Sequence, residues 1–448
     1  MPESVGSIPL PGVNMETWLL RFDKQGACVS PRNRAALLQK LAADPDRPVI
    51  LFSHGWNNEY ADATDRYAKL LQNLEHHWAQ HGPLPGAKPL FIGIIWPSTW
   101  FSFDAGPGIA SMHGVEVARE IGLREDLAQQ LSNSERERFY LLLDQPLIPA
   151  SQAAELAVLT AKAVKAEIQG AGSEAVEEKA PGDQDVLKAM QALQAFAQPA
   201  PNTGGDGLPE GGLVNAGGPP ELGHAGALSF LDPRGALRVA SVYQMKDRAG
   251  VVGANGVARL VEDVLAKSKT LHLVGHSFGA KVVLSAMAAA NTRNKAKTAL
   301  LLQPAISYLC FAKMLPDRDE PGGYHGVPGK VEKSIAITCS AWDVALHKLF
   351  HNILRRSEDL GDVKIAGPAS LGVGEPPSKY AALGGYGPGG VATAVRKDEM
   401  PLPGTRVPEF STNAMLAFDG TKEKRIDAHG NVSTPFTAWL LYEQMRFQ

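Results

Sequence analysis

The chain reads as an α/β protein with a mostly parallel central sheet flanked by helices, and three observations predict this. Residues 48–52 (PVILF), 89–95 (PLFIGII) and 270–274 (TLHLV) are short, largely apolar runs with no polar face, as expected of strands buried on both sides of a parallel sheet. Stretches with helical spacing separate such runs, which is the order of βαβ units. Each run also stops at a turn rich in small residues: Ser53-His54-Gly55, Trp96-Pro97-Ser98 and Gly275-His276-Ser277-Phe278-Gly279.

In chain order, 15–29 alternates well enough for a strand, a Lys-Gln-Gly turn and a second strand, and 32–43 has helical spacing. The strand 48–52, an amphipathic helix at 63–78 and the strand 89–95 follow. The alternation then stops. Residues 115–131, 134–143 and 151–196 are helical by pattern and rich in Ala, Gln, Glu and Lys, and 199–226 is dominated by Gly and Pro. We read 100–236 as a large, mainly helical insertion in a sheet domain formed by 1–99 and 237–448. Connections after the carboxyl ends of strands surround the ligand crevice of such sheets, so the insertion is expected to act as a cap with 199–226 as its mobile loop. Apolar positions Leu156, Val158, Leu159 and Val164 on its helices call for a partner surface.

The alternation resumes with an expected strand at 238–243, a helix at 253–267, the strand 270–274 and a helix at 280–290. Strands follow at 298–302 and 333–338. Residues 361–408 form a Gly- and Pro-rich loop too long for a bare connection, and are expected to be functional or mobile. A last strand at 414–418 precedes a helix at 435–445, with Thr434 as N-cap and Pro435 at the first helical position.

The 448 residues permit two or three domains, and 44% hydrophobic with 20% charged residues is ample for a buried core. A formal net charge of −3 gives no reason to expect nucleic acid or an anionic membrane as partner. Cys28, Cys310 and Cys339 are too few and scattered for a disulfide framework. The first residues lack a basic stretch followed by an apolar one, and no apolar run approaches the roughly 18 residues of a membrane span. Cytoplasmic residence is the default expectation; leaderless export or a trimmed leader would give the same pattern.

The chemistry concentrates at 271–279, a strand running into G-x-S-x-G and then a helix. A serine at a sharp strand-to-helix turn stands proud of the sheet, with small residues two before and two after letting strand and helix approach. This marks Ser277 as a nucleophile, against the plainer reading of a tight structural turn. A phosphate loop is rejected: Gly275…Gly279-Ala280-Lys281 has the wrong spacing, and Val282 offers no hydroxyl to Mg²⁺. An acyl-transfer site needs two N–H donors for the oxyanion. Phe278, after the nucleophile, is one. Trp56, in Ser53-His54-Gly55-Trp56-Asn57-Asn58, is the candidate for the other, against a plain glycine turn with a buried histidine. His54, Gly55, Gly275, His276 and Gly279 are the supporting residues.

The order serine, acid, histidine is expected in this arrangement. Asp343 lies just beyond the strand around 334–340, with Asp419 as the main alternative. Asp317, Asp319, Asp359, Asp362 and Asp398 sit in polar loops that no strand feeds. His429, in Asp427-Ala-His-Gly430, falls between the last strand and the last helix, with His325 as competitor. His347 and His351 read as surface or packing residues. His76 and His77 are adjacent and diverge by about 100° on a helix, so they cannot chelate together. Neither HExxH nor a strand-following GxGxxG occurs, and no metal or cofactor is expected.

HGWNN, IIWPS, GHSFGAK, SAWD and DAHG together resemble bacterial α/β-hydrolases, in particular a poorly characterised serine esterase- and lipase-like group. The resemblance covers 48–98, 238–310, 331–347 and 412–445. It implies the α/β-hydrolase fold and a Ser277–Asp343–His429 triad, without naming a substrate. The expected activity is cleavage of a small-molecule or lipid-like carboxylic ester through an acyl-enzyme. Amidase, peptidase or polyester depolymerase chemistry would use the same triad. A binding protein on a hydrolase fold, its serine occluded, is the alternative of another class.

Overall fold

The structure is a computed structural model that describes residues 5–56, 58, 60–84, 86–98, 114–170, 181–197, 230–315, 319–354, 376 and 378–447. Its contacts divide the chain into two compact units. Met1–Thr99, Arg248–Lys348 and Gly361–Gln448 make the first, and Trp100–Asp247 with Leu349–Leu360 the second.

The elements begin with β1 (Glu16–Arg21), α1 (Pro31–Ala43), β2 (Val49–Ser53), α2 (Tyr60–His81) and β3 (Leu90–Ile95). Next come α3 (Gly114–Ala128), α4 (Asn133–Leu143), β4 (Ile148–Pro149), α5 (Ala150–Gly170), α6 (Asp183–Ala197), β5 (Phe230–Leu231) and α7 (Arg234–Val251). The chain continues through α8 (Ala258–Lys267), β6 (Leu271–His276), α9 (Phe278–Ala289), β7 (Thr298–Leu302) and β8 (Ile335–Cys339). It closes with α10 (Phe350–Ile353), α11 (Leu383–Tyr386), β9 (Val395–Lys397), β10 (Met415–Asp419) and α12 (Pro435–Met445).

In the first unit eight described strands form one sheet in the order β1-β3-β2-β6-β7-β8-β10-β9. Every pairing within it is parallel. The apolar runs explain themselves here: all residues of β2, β6, β7, β8 and β10 are buried, which only a sheet covered on both faces allows. Register brings the carboxyl ends together, with Ser53 opposite both Ile94 and Gly275, and His276 opposite Leu302. Phe52, Phe91, Val274, Leu300 and Phe418 share one core with Tyr67 and Leu71 of α2 and Trp439 and Leu440 of α12. Burying a side chain of this size contributes about 2 kcal/mol. Helix α12 starts at a reciprocal Thr434–Thr437 box with Pro435 in its first turn, which satisfies N–H groups that would otherwise be orphaned.

In the second unit α5 packs with α3, α4 and α6, and β4 pairs antiparallel with β5. Leu156 and Val164 are fully buried, while Val158 is 47% exposed. Tyr243 on α7 donates its hydroxyl to Ile353 O. Among the described residues no helix is long and apolar enough to cross a membrane.

Several expectations need correction. Residues 238–243 are not a strand but part of α7. Val239, Val242 and Tyr243 favour strands, yet buried Ala236, Ala240 and Tyr243 fall at i, i+4 and i+7, the spacing of one helix face. The second strand expected within 15–29 shrinks to a single Phe22–Cys28 bridge, because the Asp23 carboxylate caps the turn by accepting from Gln25 and Ala27 N–H. The helix expected over 151–196 is two helices, α5 and α6. The loop 361–408 contains α11 and β9, and β9 extends the sheet beyond β10. Residues 199–226, Asp317, Asp359 and Asp362 lie outside the described residues.

Candidate active site

All residues of the site belong to the first unit. β6 runs into Ser277, which has φ 55° and ψ −126°, and α9 begins at the next residue. Positive φ in a residue with a side chain is strained and must be held by its surroundings. Here Ser277 N–H donates to Leu302 O at 3.1 Å, and Ser277 O accepts from Ala280 N–H at 3.1 Å. The two flanking glycines are required by close approach. A Cβ on Gly275 would lie 2.6 Å from Ala280 Cα, and one on Gly279 would lie 2.1 Å from Ser53 O. The turn therefore brings α9 directly against β2 as well as β6.

The loop between β10 and α12 carries His429. Its Nε2 is 2.8 Å from Ser277 Oγ and its Nδ1 is 2.8 Å from Asp343 Oδ2, although acid and histidine are 86 positions apart. Asp343 follows β8 and is fully buried, and its Oδ1 accepts from Leu346 N–H at 3.0 Å. A carboxylate accepts only, so Nδ1 carries the imidazole proton and Nε2 offers its lone pair to the serine hydroxyl. The alternatives are placed elsewhere. Asp419 accepts from Thr421 N–H in the turn after β10. His325 bonds Phe311 O and lines a small cavity with Ile335 and Met415, at the amino ends of β8 and β10 and thus the wrong end of the sheet. His347 stacks on Tyr386 with ring centroids 4.4 Å apart.

Phe278 is the first residue of α9, where an N–H has no acceptor inside the helix. Gly55 is pressed against Ser277: a Cβ there would lie 2.6 Å from Ser277 Cβ. That places the following residue, Trp56, beside the turn, its ring centroid 6.4 Å from that of Phe278.

The HGWNN and WPS segments lock to each other. His54 stacks on Trp96 at 5.6 Å, accepts its N–H on Nε2 at 3.3 Å, and donates from Nδ1 to Gly55 O at 2.9 Å. Burial pushes the His54 pKa down to about 4, so the ring is a neutral strut. Ser98 Oγ donates to Asn58 O, and Asn58 Nδ2 donates to Gly55 O and Trp56 O at 3.1 and 2.7 Å. His276 is likewise held neutral by burial, and its Nε2–H donates to His429 O at 2.9 Å.

Two contributors escaped the sequence. Gln303, directly after β7, donates from Nε2 to Asp343 Oδ2. Arg66 of α2 donates to Asn58 Oδ1 at 3.3 Å and to Gly430 O, tying the HGWNN loop to the histidine loop. A polar residue at the carboxyl end of a buried run was a usable signal for Gln303. Nothing in the pattern of α2 separates Arg66 from its other charged residues. Among the described residues no group of three or more His, Cys, Asp or Glu is placed to hold a metal ion.

The parallel eight-stranded sheet and the strand–serine–helix turn are those of the α/β-hydrolase fold. Residues 30–120, which carry β2, β3 and the loops after them, match a family described as alpha/beta hydrolase of unknown function (DUF900). No curated protein and no solved structure matches the chain.

Proposed function

We propose that the protein is a serine hydrolase that cleaves carboxylic esters through an acyl-enzyme. One observation carries the reading: a single imidazole bridges Ser277 Oγ and the buried Asp343 carboxylate, at 2.8 Å to each. As Oγ attacks the ester carbonyl, His429 Nε2 takes its proton and Asp343 stabilises the imidazolium. The Phe278 and Trp56 N–H groups receive the developing oxyanion. The imidazolium then protonates the departing alkoxide, and water, deprotonated by the same nitrogen, releases the acid. Residues 100–236 act in this proposal as a lid that restricts the acyl group; the support is their entry after the carboxyl end of a strand.

One experiment tests both parts. A fluorophosphonate probe and p-nitrophenyl esters of graded acyl length are applied to the wild type, to Ser277→Ala and to a variant with a short linker replacing 199–226. The wild type should label and turn over. Ser277→Ala should not label, and should lose roughly four orders of magnitude in kcat/KM or more. An unlabelled wild type removes the enzyme reading, and hydrolysis of anilides but not esters makes it an amidase. The linker variant should change the ratio between long and short esters; an unchanged ratio removes the lid.

A further inference from the structure

We propose that Gln303 is a positioning residue of the Asp343–His429 pair, its side-chain amide setting the basicity of His429 through the carboxylate they share. The inference rests on His429 being the general base of the proposed hydrolysis.

Gln303 is fully buried and has φ 42°, the left-handed region that residues with side chains avoid. Its N–H donates to Thr338 Oγ1 at 2.9 Å, and Gly384 packs so closely that a Cβ there would lie 2.4 Å from Gln303 C. The side chain donates from Nε2 to Asp343 Oδ2 at 2.5 Å and to Ala428 O at 3.3 Å. Both neighbours are acceptors, which sets the orientation of the amide: flipped, its oxygen would face a carboxylate. Oε1 is buried with no hydrogen-bond partner among the described residues. A strained backbone and an unsatisfied oxygen both weigh against this glutamine. What the arrangement provides is a second N–H on the one carboxylate oxygen that His429 uses. It also ties the acid to Ala428, the residue before the histidine.

Donors to a carboxylate favour its ionised form and spread its charge. The Asp343 carboxyl accepts from His429 Nδ1–H, Leu346 N–H and Gln303 Nε2–H. Without the amide, more of the charge falls on the imidazole, and the imidazolium holds its proton more tightly. The other titratable or charged groups around the pair are His276, 5.1 Å ring to ring from His429, Arg66 at Gly430 O, Asp427 two residues before His429, and His347, whose backbone N–H bonds Asp343 O.

The test is an NMR titration of ¹⁵N-histidine-labelled full-length protein, with the His429 signal assigned by its loss in His429→Gln. Gln303→Met keeps the length and removes the N–H. Its His429 midpoint should rise by about 0.5 to 1 in pH. On a cleaved ester, kcat should fall about tenfold with KM little changed, and the acid limb of kcat/KM should move up with the midpoint. Gln303→Glu should raise the midpoint further once its own carboxyl ionises beside Asp343. It also decides the matter if Gln303→Met fails to fold. A merely structural glutamine would change stability and leave the midpoint alone, so an unmoved midpoint in the folded variants overturns the proposal. The titration needs no turnover: a wild type that no fluorophosphonate labels defeats the ester-hydrolase reading, while the midpoints still judge Gln303.

Discussion

The loops on the two sides of Ser277 each contain a histidine, and the two rings are built to opposite ends. His54, after β2, is 1% exposed, and both its nitrogens meet backbone groups, Gly55 O and Trp96 N–H. Burial with such partners drives its pKa down and keeps it neutral. His429, before α12, is more open, with a quarter of its side chain exposed, and one nitrogen meets a buried carboxylate. The two rings therefore differ in their partners: backbone groups for one, a buried carboxylate for the other. The loops differ too: one is cross-braced through Asn58 and Ser98, the other is organised around the Asp343 carboxylate, and Arg66 ties the two together.

The sharpest way to break this contrast is Asp343→Asn. The amide can donate to Nδ1 and force the wrong tautomer, so kcat should fall about 10⁴-fold while the fold survives. A loss of less than tenfold would mean that His429 needs no anionic partner. Gly55→Ala probes the other side. Its Cβ would meet Ser277 Cβ at 2.6 Å and His276 Nδ1 at 2.9 Å, which displaces either the nucleophile or the loop behind it. Turnover should drop on the order of 10²-fold, as for a misplacement of about 1 Å, and full activity would show that the contact is not tight.

The smallest effect is on stability. The His54 and His272 pKa values are pushed by burial to about 4 and about 3, below the 6.5 of an exposed histidine. The unfolded chain thus binds protons before the folded one. Stability is full above pH 6.5 and falls as the pH drops toward the folded values. Each ring should contribute roughly 2 kcal/mol of loss between pH 7 and pH 5. Urea unfolding at the two pH values measures it, and His54→Gln should remove its share. An equal pH dependence in that variant would mean that His54 is protonated in the folded protein.

The apolar runs, their turns and G-x-S-x-G were sufficient to locate β2, β3, β6 and α9, because burial on both faces and a close strand–helix approach leave few other residues possible. Chain order and position after a strand also singled out Ser277, Asp343 and His429 as candidates. Residues 238–243 misled, since β-branched side chains carry strand propensity while the face they bury is decided by packing. The tertiary structure brings His429 and Asp343, the residues favoured over His325 and Asp419, into one hydrogen-bonded chain with Ser277. It turned His54 into a neutral strut, and it brought Gln303 and Arg66 to the site. Those choices depend on which groups lie within about 3 Å of one another across gaps of up to several hundred residues. No local pattern encodes such distances; they follow only once the parallel sheet has aligned the carboxyl ends of its strands.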